Sequence, residues 1–218
     1  MADEAHSADP LTGLDTYDAF MARLEKAMAK AGKAHGSVSM GLVDIDRFRQ
    51  LNQQHGTEAG DRVLQAVAAC LVRHFSEPKR VYRYGGDAFA ILLDGQEKEE
   101  AFLLLEAVRA DFDEHRLIEG AEDSVPAGVT ITVGIAAFPD DGGTAQEVAR
   151  KANEAVYRAK VGGRNKVCLA REEKMVPKTS HFTQGQLHGL SRIAKREGVG
   201  EAVLLREAVD DLLRKYNA

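Results

Sequence analysis

The chain has no tryptophan, only two cysteines and five prolines in 218 residues, and 6% aromatic side chains. Cys70 falls among apolar residues of a helical pattern and Cys168 in a short apolar stretch. Neither belongs to a CxxC, so a disulfide framework is excluded and both thiols read as core residues. The seven histidines lack HExxH or Cys/His ligand spacing, which leaves a zinc site without sequence support. No apolar run approaches the roughly 18 to 20 residues that cross a bilayer. The segment Met1-Ala2-Asp3-Glu4 is acidic where a secretory signal is basic. These absences give the expectation of a cytoplasmic protein with no membrane partner.

What is present is ordinary for a globular fold: 44% hydrophobic and 29% charged residues, enough for one good core and a small appendage. The net charge of −5 is unevenly spread. Residues 1–170 carry 20 Lys/Arg against 27 Asp/Glu, whereas residues 171–218 carry 9 against 7, so the body is acidic and the tail slightly basic.

Apolar periodicity places a helix over Thr16–Lys33 and a central strand from Ser37 to Ile45, with Asp44 at its carboxyl end. A short helical segment over 46–55 is broken by Gly56, and a longer helix runs to about His74. Arg80–Tyr84, the turn Gly85-Gly86-Asp87 and Ala88–Leu93 read as a hairpin with an acid at its tip. A helix over Glu97–Asp113, a β-branched strand from Val129 to Ala136, a helix capped by Thr144 and running to Lys160, and a strand Lys166–Leu169 complete the body. The fold class is α+β, with helices around a mixed sheet.

Two acids, one ending a strand and one at the tip of a neighbouring hairpin, are what a hard divalent cation holding phosphates requires. Glycines before Asp87 let backbone amides approach a phosphate closely. Taken alone, a Gly-Gly-Asp turn is equally a tight hairpin, and an acid at a strand end is equally a solvated helix cap.

The wider pattern decides between these readings. Asp9-Pro10-Leu11-Thr12-Gly13-Leu14, Asp44-Ile45-Asp46-Arg47-Phe48-Arg49, Asn52, Gly56, Gly60-Asp61, Arg83-Tyr84-Gly85-Gly86-Asp87, Tyr157-Arg158-Ala159-Lys160 and Gly163-Arg164-Asn165 occur in order. Together they resemble the GGDEF family of diguanylate cyclases over about residues 9–169. The resemblance implies a nucleotide-cyclase, palm-like fold and a site that joins two GTP molecules into cyclic di-GMP between paired domains. It implies magnesium held by Asp44, the Ile45 carbonyl and Asp87. It further implies guanine read by Asn52 and Asp61, a phosphate-side turn at Gly85 and Gly86, and phosphate contacts from Lys160 and Arg164. On residue chemistry alone, Asn52 equally caps a turn, and Lys160 and Arg164 equally complement a helix carboxyl end.

The sequence departs from the family where catalysis is concentrated. The signature reads Gly85-Gly86-Asp87-Ala88-Phe89, with a methyl group where the family has glutamate. Thr16-Tyr17-Asp18 replaces the usual Asn-Arg-Arg, Gln53 replaces an Asp, and Asn153 replaces another. Ser76-Glu77-Pro78-Lys79 stands where the family's product-inhibition site has Arg-x-x-Asp. The resulting expectation is a catalytically inactive domain that binds or senses GTP or cyclic di-GMP; the alternative is an active diguanylate cyclase.

Residues 171–177 read as a charged linker closing on Pro177, after the body at 1–170. Residues 178–218 offer a short extended stretch to Phe182, then a helix capped by Thr183 with Leu187, Leu190, Ile193 and Ala194 inward. A Gly198-Val199-Gly200 turn and a second helix follow. About 40 residues cannot bury a core of their own, so a homodimer is expected. This tail resembles a ribbon–helix–helix module, which implies DNA binding and transcription regulation with Thr179 and His181 as outward base readers. The alternative is a tail that only dimerises or binds another protein.

Overall fold

The computed structural model describes residues 8–75, 80–115, 126, 128–170, 182–197, 201, 204, 205, 208, 209 and 215. The chain forms two compact units, residues 1–172 and 173–218.

The first unit contains β1 (Asp15–Thr16), α1 (Tyr17–Ala34), β2 (Val38–Ile45), α2 (Phe48–His55), α3 (Thr57–His74), β3 (Val81–Gly85) and β4 (Ala88–Asp94), followed by α4 (Lys98–His115), β5 (Ile131–Phe138), α5 (Ala145–Val161) and β6 (Val167–Leu169). The strands form one sheet in the order β1-β3-β4-β2-β5-β6. Its middle is antiparallel, and β1 on β3 and β6 on β5 are parallel edge pairs. The mixed α+β architecture agrees with the sequence reading. One element differs: Thr16, read as the start of the first helix, forms with Asp15 a two-residue strand on β3, with Asp15 opposite Tyr82. The turn before it holds it there, because Asp9 Oδ1 accepts from both the Thr12 amide, at 2.9 Å, and the Thr12 hydroxyl, at 2.7 Å.

Central strand β2 shows why the sequence there turns continuously apolar: it is covered on both faces. Val43 and Ile45 pack with Val63, Val67 and Leu71 of α3 and with Leu105 and Val108 of α4. Val38, Met40 and Leu42 face the other way, toward Phe20 and Leu24 of α1 and Val148, Ala152 and Val156 of α5. Alternating residues thus serve two cores in a helix–sheet–helix sandwich. The start of α5 is fixed by a capping box in which the Thr144 hydroxyl accepts from the Glu147 amide and the Glu147 carboxylate accepts from the Thr144 amide.

In the second unit, α6 (Gln184–Glu197) begins at Thr183 with the same device: the Gln186 amide donates to the Thr183 hydroxyl and the Thr183 amide to Gln186 Oε1. Residues 201, 204, 205, 208, 209 and 215 are helical. The inward stripe expected for α6 is buried only at Ala194; Leu187 and Ile193 are 38% and 40% exposed. One chain therefore leaves the apolar face of this helix partly open. The linker, the extended stretch with Thr179 and His181, Ser76–Lys79 and Gly198-Val199-Gly200 lie outside the described residues. Among the described residues, no helix is long and apolar enough to cross a membrane.

Packing of α5 on the sheet depends on Gly134 in β5, where an added Cβ would stand 2.2 Å from the Ala152 carbonyl oxygen and 2.5 Å from the Val156 amide nitrogen. Backbone cannot step aside as a side chain can. Gly134→Ala is expected to cost about 3 kcal/mol. Gly41→Ala, whose new methyl meets only the Leu105 side-chain end at 2.5 Å, should cost about 1 kcal/mol. Urea midpoints measure both, and equal losses would contradict this account of the helix–sheet contact.

Candidate functional site

The site lies where β2 ends beside the β3–β4 turn. The antiparallel ladder sets Asp44 directly opposite Ala88, so the two side chains share one face of the sheet. The Ile45 amide donates to the Asp87 carbonyl at 3.2 Å, which draws the glycine turn against the strand end. Gly85 and Gly86 have φ of 142° and 54°, backbone that disfavours any side chain. Arg83 closes the hairpin: its Nη2 donates to the Gly86 carbonyl, and its guanidinium lies 4.8 Å from the Phe89 ring centroid.

From α5, Lys160 Nζ reaches to 2.7 Å from Asp44 Oδ1. That buried oxygen is charge-paired, yet no donor is aligned on it for a hydrogen bond. Burial pushes the Asp44 carboxyl above the ordinary carboxylate range. The negative charges of Asp87 and Asp46 add to the shift, and Lys160 opposes it.

On the other side of the turn, Phe48, Arg49, Asn52, Gln53, Gly86 and Asp87 line an open cleft of about 480 Å³. Asn52 Oδ1 is buried with no hydrogen-bond partner within the protein. It lies so close to the Gly60 backbone that a Cβ there would stand 1.9 Å away. Gly60 therefore makes the room that Asn52 occupies, which explains why a glycine stands eight residues beyond it.

Asp46 plays a different part from Asp44. It is 6% exposed, and it accepts from the Thr130 hydroxyl at 2.7 Å, the Thr132 hydroxyl at 2.7 Å and the Asn165 amide at 3.1 Å. The loop it holds is bent at Arg164 and Asn165, with φ of 65° and 43°. Arg109 Nη1 donates to the Asn165 side-chain oxygen at 2.8 Å, and the Arg164 amide donates to the Ala159 carbonyl at 3.0 Å.

The expected site residues are thus only partly gathered. Asp44, Ile45, Gly85, Gly86, Asp87 and Lys160 meet at the strand end and turn, and Asn52 shares the cleft with Gly86 and Asp87. Asp61 is exposed one residue beyond Gly60 on α3 and does not line the cleft. Arg164 lines a separate cavity of about 320 Å³ with Asp46, Arg47, Gln50 and Thr130, its Nε 4.0 Å from Asp46 Oδ1. The sequence reading missed Asp46 as the anchor of this region.

Residues 6–166 match the family described as "Diguanylate cyclase, GGDEF domain", and the chain belongs to that family. Diguanylate cyclase DgcP of Pseudomonas aeruginosa is 35% identical over 163 residues, covering 74% of this chain and 24% of that protein. A diguanylate cyclase of Vibrio cholerae is 30% identical over 166 residues, covering 76% of this chain and 50% of that protein. The chain therefore spans half or less of the length of these curated relatives. Among solved structures, the GGDEF domain of DgcB from Caulobacter crescentus in complex with c-di-GMP superposes with a TM-score of 0.69 at 29% identity, covering 79% of this chain and 97% of that one. The active GGEEF domain of a Vibrio cholerae diguanylate cyclase gives 0.65 at 29% identity, with 73% and 99% covered.

The Asp44 environment gives a signed pH dependence. The folded state holds the Asp44 proton more tightly than the unfolded chain does. This carboxyl's contribution therefore falls as pH rises from the ordinary carboxylate value, about 3.9, through the raised folded value, and it stays unfavourable above that. Asp44→Asn should raise the urea midpoint at neutral pH, and the gain should vanish below the ordinary carboxylate range. A midpoint difference that does not change with pH would contradict the burial effect.

Proposed function

We propose that this chain is a guanine-nucleotide-binding GGDEF domain that has lost cyclase turnover and acts as a sensor. The observation that carries the binding half is Asn52, which lines the cleft with Gly86 and Asp87 and whose Oδ1, packed against Gly60, has no hydrogen-bond donor within the protein. Guanine, with its N1–H and N2–H donors, would be read by this amide once its oxygen turns toward the cleft. Asp44 and Asp87, with the Ile45 carbonyl, form an all-oxygen set that suits magnesium; Lys160 Nζ, 2.7 Å from Asp44 Oδ1, would have to yield that oxygen to the ion. When bound, magnesium supplies charge neutralisation for phosphates. Lys160 adds a positive charge at the same strand end.

Loss of turnover rests on Ala88. The family's glutamate would stand on the same sheet face as Asp44, in the ladder position directly opposite it. A methyl there neither ligates a cation nor polarises a hydroxyl. Removing one charged group from a phosphoryl-transfer site lowers the rate by ~10²–10⁴, whereas nucleotide affinity is spread over base, phosphates and metal. Incubation with GTP and magnesium should yield no cyclic di-GMP above a protein-free blank. Calorimetry should show GTP binding that strengthens with magnesium and weakens by about tenfold, about 1.4 kcal/mol, in Asn52→Ala. Turnover that disappears in Asp87→Ala would establish the active-cyclase alternative.

A second reading concerns residues 173–218. The exposed Leu187 and Ile193 favour a tail that pairs with a second copy of the chain. Under this reading the paired tails bind DNA, with Thr179 and His181 on the outward side of a ribbon. Substituting both Leu187 and Ile193 with Asp should convert dimer to monomer in sedimentation while leaving the first unit folded. Thr179→Ala with His181→Ala should keep the dimer and reduce discrimination for a selected DNA site by ~1–3 kcal/mol per lost base contact. Dimers with only salt-sensitive, sequence-independent DNA binding would leave pairing as the tail's sole role.

A further inference from the structure

Away from the nucleotide cleft, α3 and α4 bring together three side chains that the sequence separates by up to 41 positions. Cys70 and His74 stand four apart on α3 and so share one helix face; Asp111 comes from α4. Cys70 Sγ is 3.5 Å and His74 Nε2 is 2.9 Å from Asp111 Oδ2. Ligand atoms of all three lie within 4.8 Å of one another. We propose that Cys70, His74 and Asp111 form a zinc-binding site that clips α3 to α4.

The distances suit the ion. Tetrahedral zinc, with Zn–S of about 2.3 Å and Zn–N and Zn–O of about 2.0 to 2.1 Å, sets sulfur and oxygen about 3.5 Å apart and nitrogen and oxygen about 3.3 Å apart. The sulfur–oxygen edge already has that length, the nitrogen–oxygen edge has to open by roughly 0.4 Å, and the sulfur–nitrogen edge, within 4.8 Å, has to settle at about 3.5 Å. Thiolate, imidazole and carboxylate are all ligand types that zinc takes. The buried cysteine sets the inner end of the site and the exposed histidine its outer end, leaving a fourth position for water on the solvent side.

Two features of the metal-free arrangement bear on the proposal. Burial, with the Asp111 charge beside it, pushes the Cys70 thiol up to about 12, so this cysteine is not a reactive nucleophile. The ion displaces the thiol proton to solvent as the Zn–S bond forms. Arg73 also pairs with Asp111, and its Nη2 lies 3.9 Å from Cys70 Sγ. Its side chain is 60% exposed while that of Asp111 is 19% exposed, so the guanidinium can withdraw into water and leave the carboxylate to a metal. The alternative is that Arg73 and His74 keep the carboxylate, in which case Cys70 is a core thiol and the cluster binds no metal.

Zinc and cobalt titrations of the full chain, stripped with chelator, decide between them. The expected result is one ion per chain, a thiolate-to-cobalt charge-transfer band, and a zinc-dependent rise in thermal midpoint. Cys70→Ser should erase the band, Cys168→Ser should leave it, and His74→Gln should weaken zinc by roughly tenfold or more. Because His74 is exposed, that variant keeps the core intact and decides the matter even if Cys70→Ser fails to fold. Absence of the band in the unaltered chain, its loss in Cys168→Ser, or zinc uptake indifferent to His74→Gln would each overturn the site.

Discussion

The buried carboxylate of Asp46 is the constraint on which the site region depends. It stands just past the end of β2, takes hydroxyl donors from Thr130 and Thr132 around the start of β5, and takes the Asn165 amide from the loop after α5. A carboxylate this deeply buried is tolerable only when its oxygens are satisfied, and unsatisfied donors left behind would cost about 1–3 kcal/mol each. Those same bonds select one geometry for three chain segments. Arg164 and Asn165 adopt left-handed backbone, which for arginine is unfavourable and persists only where the surroundings over-determine it. Asn165 is bound on its amide by Asp46 and on its side chain by Arg109 and Asp113. The position of Arg164 is therefore a consequence of an interaction that never touches the cleft.

Their surroundings separate the roles of two acids only two residues apart. Asp46 is filled by neutral donors, while Asp44 Oδ1 faces the Lys160 ammonium at 2.7 Å. The methyl of Ala88, opposite Asp44, packs against the apolar layer of α1 and α5. With that position apolar, the strand end carries Asp44, Asp87 and the Lys160 charge, a smaller negative field than a third carboxylate would create.

The body of the fold was legible because its signals are local. Continuous apolar residues in β2, the Gly85-Gly86-Asp87 turn and the Thr144 cap each follow from a few neighbouring side chains, and the ordered motifs pointed to the family that the match over residues 6–166 shows. What could not be read depended on distant partners. Asp15–Thr16 is too short to show a period and becomes a strand only because a turn at Asp9–Gly13 delivers it to β3. Nothing local distinguishes Asp46 from Asp44, since the donors that mark it lie 84 to 119 positions away. The spacing of Cys70 and His74 is one helical turn, and it acquires meaning only when α4 supplies Asp111.

Recognition and turnover place different demands on this architecture. Under the proposed reading, base recognition needs one amide at the cleft, and Gly60 makes room for Asn52 within a single domain. Phosphoryl transfer needs several charges aimed at one reacting centre, so its rate responds steeply to the loss of any one of them. A chain can therefore lose the carboxylate at position 88 while keeping the sheet, the glycine turn and the Asp46 anchor, because none of these draws stability from that side chain. The same independence works in reverse: the strand end carries a buried, raised carboxyl at Asp44 that the fold itself does not require.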